Sequence, residues 1–462
     1  MSSVYDPPYP IPYNPIAGTT RSNAGVAKVY NVLDYGADPT GVNDSTEAIQ
    51  AAVVQAQNNG CGGDIWLGVG YRYLVSAPIK ITGENIHFRG PGWSVPHPGA
   101  TNPVSRGTPL STLTPSASFP ADSPVLDFNN TSYMINGCSV EGVSFDGSLH
   151  ASAVSGVTGI HFGNAAFLRI SNIVAYGLTG NGILIDAAGA TYANPSTSQI
   201  YIDNLNLFTL GSNGIEFAAG LFMTDVYVHD FWMYGLSGVG VFLGQSSGAY
   251  QIHVYDGAIY ASLQGVYCGT FETYIHDLTI AQSFNNGIEY AQTQSYGYMS
   301  HIHHNIIRDS DRNTNGSAGI MVDTGSYDLL LDNNVCEKVN DAPEYGFLSV
   351  DGFNDTVHNV YLDRSNYAVG NSVANYKSGS YEVTSSRFSM GPQTAPAVPA
   401  SGTALTNPFP FDCTVYVNGG TVTAVDVGGT ATGQIAGAFP VPAGETITLT
   451  YSAAPTWTWF GN

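Results

Sequence analysis

The chain has 462 residues, 54 of them glycine and 29 tyrosine, and only 10% carry Asp, Glu, Lys or Arg. That length gives room for a large core plus a smaller module, and the composition suits an all-β protein with many tight turns. The formal net charge of −22 repels phosphate backbones and anionic bilayers, so it argues against nucleic acid and membrane partners and disfavours acidic polysaccharides.

The start, "MSSVYDPPYPIPYNPIAGTTRSNAG", lacks a basic segment followed by an apolar one, so no secretory signal is expected. No apolar run of 18 residues occurs, so no membrane helix is expected either. The first regular element is a helix over 45–57. Asp44 with Glu47 three residues later reads as a capping box, and Ala48, Ile49, Ala52, Val53 and Ala56 form one apolar stripe. Asn58, Asn59 and Gly60 end it. Strands follow at "DIWLGVG", "YRYLVS", "APIKI", "NIHFRG" and "CSVEGVSFDGS", with the Pro/Ser/Thr-rich stretch 92–124 expected as a surface excursion.

From residue 155 a short phrase repeats: "TGIHF", "NGILI", "NGIEF", "VGVFL", "QGVYC", "NGIEY", "AGIMV", "YGFLS". Its glycines, Gly159, Gly182, Gly214, Gly240, Gly265, Gly287, Gly319 and Gly346, recur at intervals of 22 to 32 residues. Such a period marks a solenoid whose units bury their apolar faces only by stacking. Upstream of each glycine, Asn172, Asn204, Asp230, Asp256, Asp277, Asn305 and Asn334 align as a corner column, suited to tight bends between strands. The next column, Ile173, Leu205, Phe231, Gly257, Leu278, Ile306 and Val335, reads as an inward stack. Strand and corner without an intervening helix predict a parallel β-helix whose eight glycine coils span roughly 35–40 Å. The early helix would cover its open first coil.

At "GPQTAPAVPASG" the composition changes to a linker. Beyond it, "CTVYVNGGTVTAVDVGG" predicts a hairpin with a Gly-Gly turn, and "ETITLTYSAAPTWTWFGN" two more strands of a small β-sandwich-like module. The five cysteines show no paired spacing and are expected to be buried free thiols.

The opening "VLDYGADPTGVNDSTEAIQAAV" resembles the N-terminal signature of the pectate-lyase-like superfamily of right-handed β-helices, which includes pectin-degrading enzymes, glycoside hydrolases and bacteriophage tailspikes. The C-terminal "GTALTNPFPFDCTVYVNGGTVTAVDVGG" resembles a small module at the ends of tail proteins of actinobacteria-infecting phages. The resemblance implies three parts: an extended docking segment 1–29, a right-handed parallel β-helix 30–390, and a linker with a small β module 391–462. It also implies a homotrimer, a virion location (or an extracellular one), contact with other tail or baseplate proteins through 1–29, and a host cell-surface polysaccharide as partner. No cofactor is expected. The Asn-Thr-Asp, Asp-Asp and Gly-His-Gly motifs of polygalacturonases are absent, and nine arginines without an Asp cluster disfavour a uronate lyase.

Ionisable residues concentrate in "HIHHNIIRDSDRNTNG" and "NNVCEKVNDAPEYG". After the corner, Ala175, Leu207, Met233, Ile259 and Ile280 are apolar, and the alignment continues them as Arg308 and Glu337. Either a groove opens there or an ion pair of Arg308, Asp309, Glu337 and Lys338 closes the wall. Carboxylates one or two coils apart stand about 5 or 10 Å from each other, spanning the separations used by retaining and inverting glycosidases. Asp309, Asp311 and Glu337 are therefore the candidate catalytic acids. Tyr176, Phe208, Tyr234 and Tyr260 form an aromatic row with Trp232 nearby, which can stack on sugar faces or cover a subunit interface. Candidate glycan contacts are Trp232, Tyr234, Tyr260, His304 and Arg308. His229, His253, His276, His301, His303 and His304 read as stacked corner histidines, and no metal site is expected despite the "HIHH" spacing. Glu216 and Glu289 lie three coils, roughly 14 Å, apart, too far to act as a pair. Two function classes remain, a binding spike and a glycoside hydrolase on a neutral polysaccharide.

Overall fold

The computed structural model describes residues 28–91, 111–148, 154–187, 196–246, 248–293, 297–310, 312, 317–323, 325–337, 345–349, 358–362, 366–368, 373–374, 391–409 and 411–461. Parallel strands from Val29–Asn31 to Val373–Ala374 stack into a right-handed β-helix, in one 20-stranded sheet that bends around two walls and an 11-stranded sheet on the third. The strand Phe222–Tyr234 shows how one coil turns. Val226 and Val228 point inward on the first wall, and Asp230 at φ 52° makes a left-handed corner. Phe231 and Met233 then point inward on the second wall, and Gly235 at φ 68° makes the next corner. The third wall follows at Val239–Leu243.

Asn172, Asn204, Asp230, Asp256 and Asp277 occupy the first corner as expected, all with positive φ. In the following coils the corner falls on His304 and Asn333, one residue before the expected Asn305 and Asn334. Asn305 and Asn334 are instead fully buried and continue the inward column of Leu278. Asn305 Nδ2 donates to Asn334 Oδ1 at 2.9 Å, and Asn334 Nδ2 donates to Asn366 Oδ1 at 3.0 Å. Each amide also donates to a main-chain carbonyl of the preceding coil, so these buried polar groups are paired. An inward asparagine ladder and a corner asparagine look alike in one dimension, which explains the one-residue error.

The repeat glycines head the third-wall strands for a steric reason. A Cβ on Gly182 would lie 2.7 Å from the carbonyl oxygen of Gly214, and one on Gly265 2.3 Å from that of Gly287. Coils approach too closely there for any side chain. The helix Thr46–Asn58 buries Ile49, Ala52, Val53 and Ala56 completely against the first coils. Its cap is Ser45 rather than Asp44. Asp44 Oδ1 accepts from the Thr46 N–H at 3.0 Å, while Oδ2 accepts from the Ser76 hydroxyl at 2.6 Å. The carboxylate thus pins the helix start to a neighbouring strand instead of closing a capping box.

The stretch 92–124 is not wholly an excursion. Ser111–Pro115 is a buried strand paired with Arg72–Val75 and Val143–Asp146. Residues 92–110 lie outside the described residues. Cys138, Cys268, Cys336 and Cys413 are buried free thiols, but Cys61 is exposed.

The C-terminal strands form two four-stranded antiparallel sheets around a core that includes Val415, Phe439, Trp457 and Trp459. The expected hairpin does not form. Cys413–Asn418 and Thr421–Val427 are joined by Gly419 and Gly420, yet they belong to different sheets. Both glycines have positive φ, and a Cβ on Gly420 would meet the Ala453 carbonyl oxygen at 2.6 Å, so the turn carries the chain between layers. No helix among the described residues is long and apolar enough to cross a membrane.

Candidate functional site

On the second wall, Tyr176, Phe208, Tyr234, Tyr260, Ala281, Arg308 and Glu337 stand in one outward column, each in register with the next. The expected alignment put Arg308 and Glu337 in the column of Ile280. That column in fact continues through buried Ile307 and Cys336, because the corner sits one residue earlier. The charged residues therefore follow the rings directly, with one small residue between them. Ala281 leaves a notch in the row. A groove of about 550 Å³ lies over it, lined by Trp232, Tyr234, Tyr260, Ala281, Gln282, Arg308, Asp309 and Glu337. That volume falls within the range of small-ligand sites, about 300–1,000 Å³.

Tyr234 is 50% exposed, while Tyr260 and Trp232 are partly exposed. Trp232 packs edge-on against Phe208, with centroids 5.6 Å apart, and its register partner one coil on is Ala258. Arg308 Nε donates to Glu337 Oε2 at 2.7 Å, so the two charges form a fixed pair across neighbouring coils. Asp309 is buried at a second left-handed corner, φ 49°, in line with Gln282 and Ala261, and its N–H donates to the Glu337 carbonyl at 3.1 Å. The groove offers exposed rings, a guanidinium, two carboxyl groups and an amide on a rigid wall. These are groups that stack on and hydrogen-bond to a polyhydroxylated ligand.

Of the expected site residues, Trp232, Tyr234, Tyr260, Arg308, Asp309 and Glu337 meet in this groove. His304 does not; it lies at the preceding corner, with its Nδ1 2.8 Å from that of His303. Asp311 and Lys338 lie outside the described residues. Gln282 and Ala281 were missed, and the signal for them was the break in the aromatic column.

The first wall carries rings of another kind. Tyr201, Tyr227, His253 and Tyr274 form one ladder, and His229, Tyr255, His276 and His303 a second. Neighbouring centroids are 4.7–5.2 Å apart and planes agree within 19°. Their faces are covered by one another, so these rings offer edges rather than a stacking platform. Burial and the nearby His276 push the His253 pKa down to about 4, which leaves that ring neutral at pH 7.

The third wall holds two ionisable groups in strong local fields. His161 contacts Asp127 through Nδ1 at 2.8 Å and Asp186 through Nε2 at 2.9 Å. Burial alone would lower its pKa, but the two carboxylates outweigh burial and raise it to about 9. Burial and the adjoining Glu289 carboxyl push Asp323 up to about 6. Glu216 and Glu289 are separated by Phe242 and Tyr267 in their column, three coils apart as expected.

Among solved structures, the tailspike protein of E. coli bacteriophage HK620, as a double mutant in complex with a pentasaccharide, matches with a TM-score of 0.58 and 12% identity. The match covers 94% of this chain and 93% of that one. The A-module of the Azotobacter vinelandii mannuronan C-5 epimerase AlgE4 matches with a TM-score of 0.53 and 15% identity over 77% of this chain and 96% of that one. DFA-IIIase from Arthrobacter chlorophenolicus A6 matches with a TM-score of 0.53 and 13% identity over 75% and 86% of the two chains. Polygalacturonase QRT3 of Arabidopsis thaliana is 28% identical over 186 residues, which span 37% of this chain and 34% of that protein. The chain thus covers about a third of the length of this curated relative. The family model described as rhamnogalacturonase A/epimerase, pectate lyase-like, matches residues 29–267, just over half of the sequence. With its coils, corners and capping helix as described, the chain belongs to that pectate-lyase-like family.

Proposed function

We propose that the chain is a phage tailspike or minor tail protein that holds a host cell-surface polysaccharide in the groove over Ala281. The observation that carries this reading is the make-up of the groove, in which exposed Tyr234 and partly exposed Tyr260 and Trp232 run into the Arg308–Glu337 pair. Sugar C–H faces suit exposed ring faces, and sugar hydroxyls suit a preformed pair of charged donor and acceptor. The strongly negative chain favours a neutral glycan over a uronate. The HK620 tailspike, a protein of like fold, has been solved with a pentasaccharide, which supports the choice of ligand class. In this reading three chains assemble along the rod, residues 1–29 dock to other tail or baseplate proteins, and the protein resides in the virion.

A second reading, an extracellular or virion glycoside hydrolase, is favoured by one feature: Asp309 and Glu337 both line the groove. Glu337 already engages Arg308, so it is better placed to fix a sugar than to pass a proton. Incubation of the purified protein with host cell-wall polysaccharide separates the two readings. Retention without new reducing ends is the expected result. Release of reducing ends that Asp309→Asn and Glu337→Gln both abolish, with folding intact, would establish the hydrolase instead. Absence of both retention and release would overturn the glycan reading.

A further inference from the structure

Two neighbouring coils of the first wall, at Ser300–His303 and Tyr327–Asp332, hold a cluster that the groove does not use. His301 and His303 are two apart on the strand Ser300–His303 and so project from the same outer face. Each earlier coil of the ladders places a tyrosine in at least one of the two columns, or an aspartate opposite one. Among the described residues, only here do both columns carry histidine, with ring centroids 4.0 Å apart. The next coil puts Asp332 in register with His303. His301 Nε2 lies 2.6 Å from Asp332 Oδ1, and ring nitrogens of both histidines and a carboxylate oxygen all lie within 4.8 Å of one another. Among the described residues, no other group of three such side chains converges in this way.

We infer that His301, His303 and Asp332 form a binding site for a divalent transition cation, zinc above all, that staples two neighbouring coils together. Two imidazoles and one carboxylate are the donor set of a borderline cation, whereas calcium or magnesium would call for several oxygen ligands. Zinc bonds of about 2.0–2.2 Å put tetrahedral ligand atoms roughly 3.4 Å apart, so separations of up to 4.8 Å close by no more than about 1.4 Å, while the His301–Asp332 contact at 2.6 Å opens slightly. Asn333 Nδ2 donates to the second Asp332 oxygen at 3.2 Å, which orients the carboxylate from outside the site. His304 at the adjoining corner is exposed, with its Nδ1 2.8 Å from that of His303. The net charge of −22 raises the local concentration of cations around the chain. A cation bound here would join residues about 30 positions apart in sequence and secure the rod where the ladders end.

This site lies across the corner from the groove and does not rest on the glycan reading. The test uses the full chain, dialysed against chelator and titrated separately with zinc and with cobalt at pH 7.5. One metal per chain, a higher thermal midpoint with zinc, and a visible cobalt absorption of nitrogen and oxygen ligation are expected. The double variant His301→Ala/His303→Ala weakens binding by about 100-fold or more, Asp332→Asn weakens it less, and His229→Ala, three coils away, leaves it unchanged. Calcium produces no shift. Failure of the unsubstituted chain to bind either metal, or equal binding by the folded double variant, would overturn the site.

Discussion

Two sets of rings run down the same solenoid on adjacent walls, and the difference between them is what locates the groove. On the first wall, Tyr227 stacks on Tyr201 and His253 at 5.2 and 5.0 Å, so both of its faces are taken. On the second wall, Tyr234 and Tyr260 sit in register but the row stops at Ala281, leaving ring surface open beside a charged pair. A continuous ladder satisfies itself. An interrupted one leaves ring surface open. In a solenoid, then, the break in a column says more about function than the column does.

If the walls away from the groove carry stability alone, the largest effect of substitution lies at His161. Its pKa is about 9 in the folded chain against about 6.5 unfolded. The contribution is therefore fully present below pH 6.5 and is lost as pH rises through 9. It amounts to something on the order of 3 kcal/mol. Chemical denaturation across that range shows falling stability for the unsubstituted chain, and His161→Asn flattens the slope without changing glycan retention. A slope that survives the substitution would place the titration elsewhere.

Next in size is Tyr227→Ala, which opens a gap within the ladder and costs about 2 kcal/mol by denaturant midpoint. Glycan retention is expected to be untouched. The reverse pattern is expected on the second wall, where Tyr234→Ala and Tyr260→Ala each weaken retention by about tenfold, or about 1.4 kcal/mol, with little change in stability. Equal losses of retention from both walls would erase the distinction between them. The smallest effect is at Asp323, where burial and Glu289 penalise the charged form. Since its folded pKa of about 6 lies above the unfolded carboxyl value, the penalty grows as pH rises through that range. Asp323→Asn therefore stabilises the chain at pH 7, by no more than about 1 kcal/mol because the group is partly exposed.

Much of this architecture is written locally. The repeat glycines mark coil contacts too tight for a Cβ, and the apolar stripe of the helix marks the face that covers the first coil. What stayed hidden depended on register between coils. Asn305 and Asn334 have the same side chain as a corner residue, yet they face inward and bond to each other, and that single shift moved Arg308 and Glu337 into the wrong column. Six of the expected residues line the groove nonetheless, because charge in an otherwise apolar and aromatic strand is visible at any register. Ala281 was not found, since a notch shows only beside its neighbours. The contact of Asp332 with His301 is hidden for a like reason, since the two lie some 30 positions apart in sequence. The turn at Gly419 and Gly420 misled because two left-handed glycines suit a hairpin and a crossing between sheets alike.

The most direct measurement is binding of host cell-surface polysaccharide by the unsubstituted chain, Tyr260→Ala and Tyr227→Ala side by side, with folding verified for each. Retention that falls about tenfold for Tyr260→Ala and holds for Tyr227→Ala is the predicted result. Retention that holds for Tyr260→Ala, or falls as far for Tyr227→Ala, would contradict the assignment of the groove over Ala281 as the glycan site.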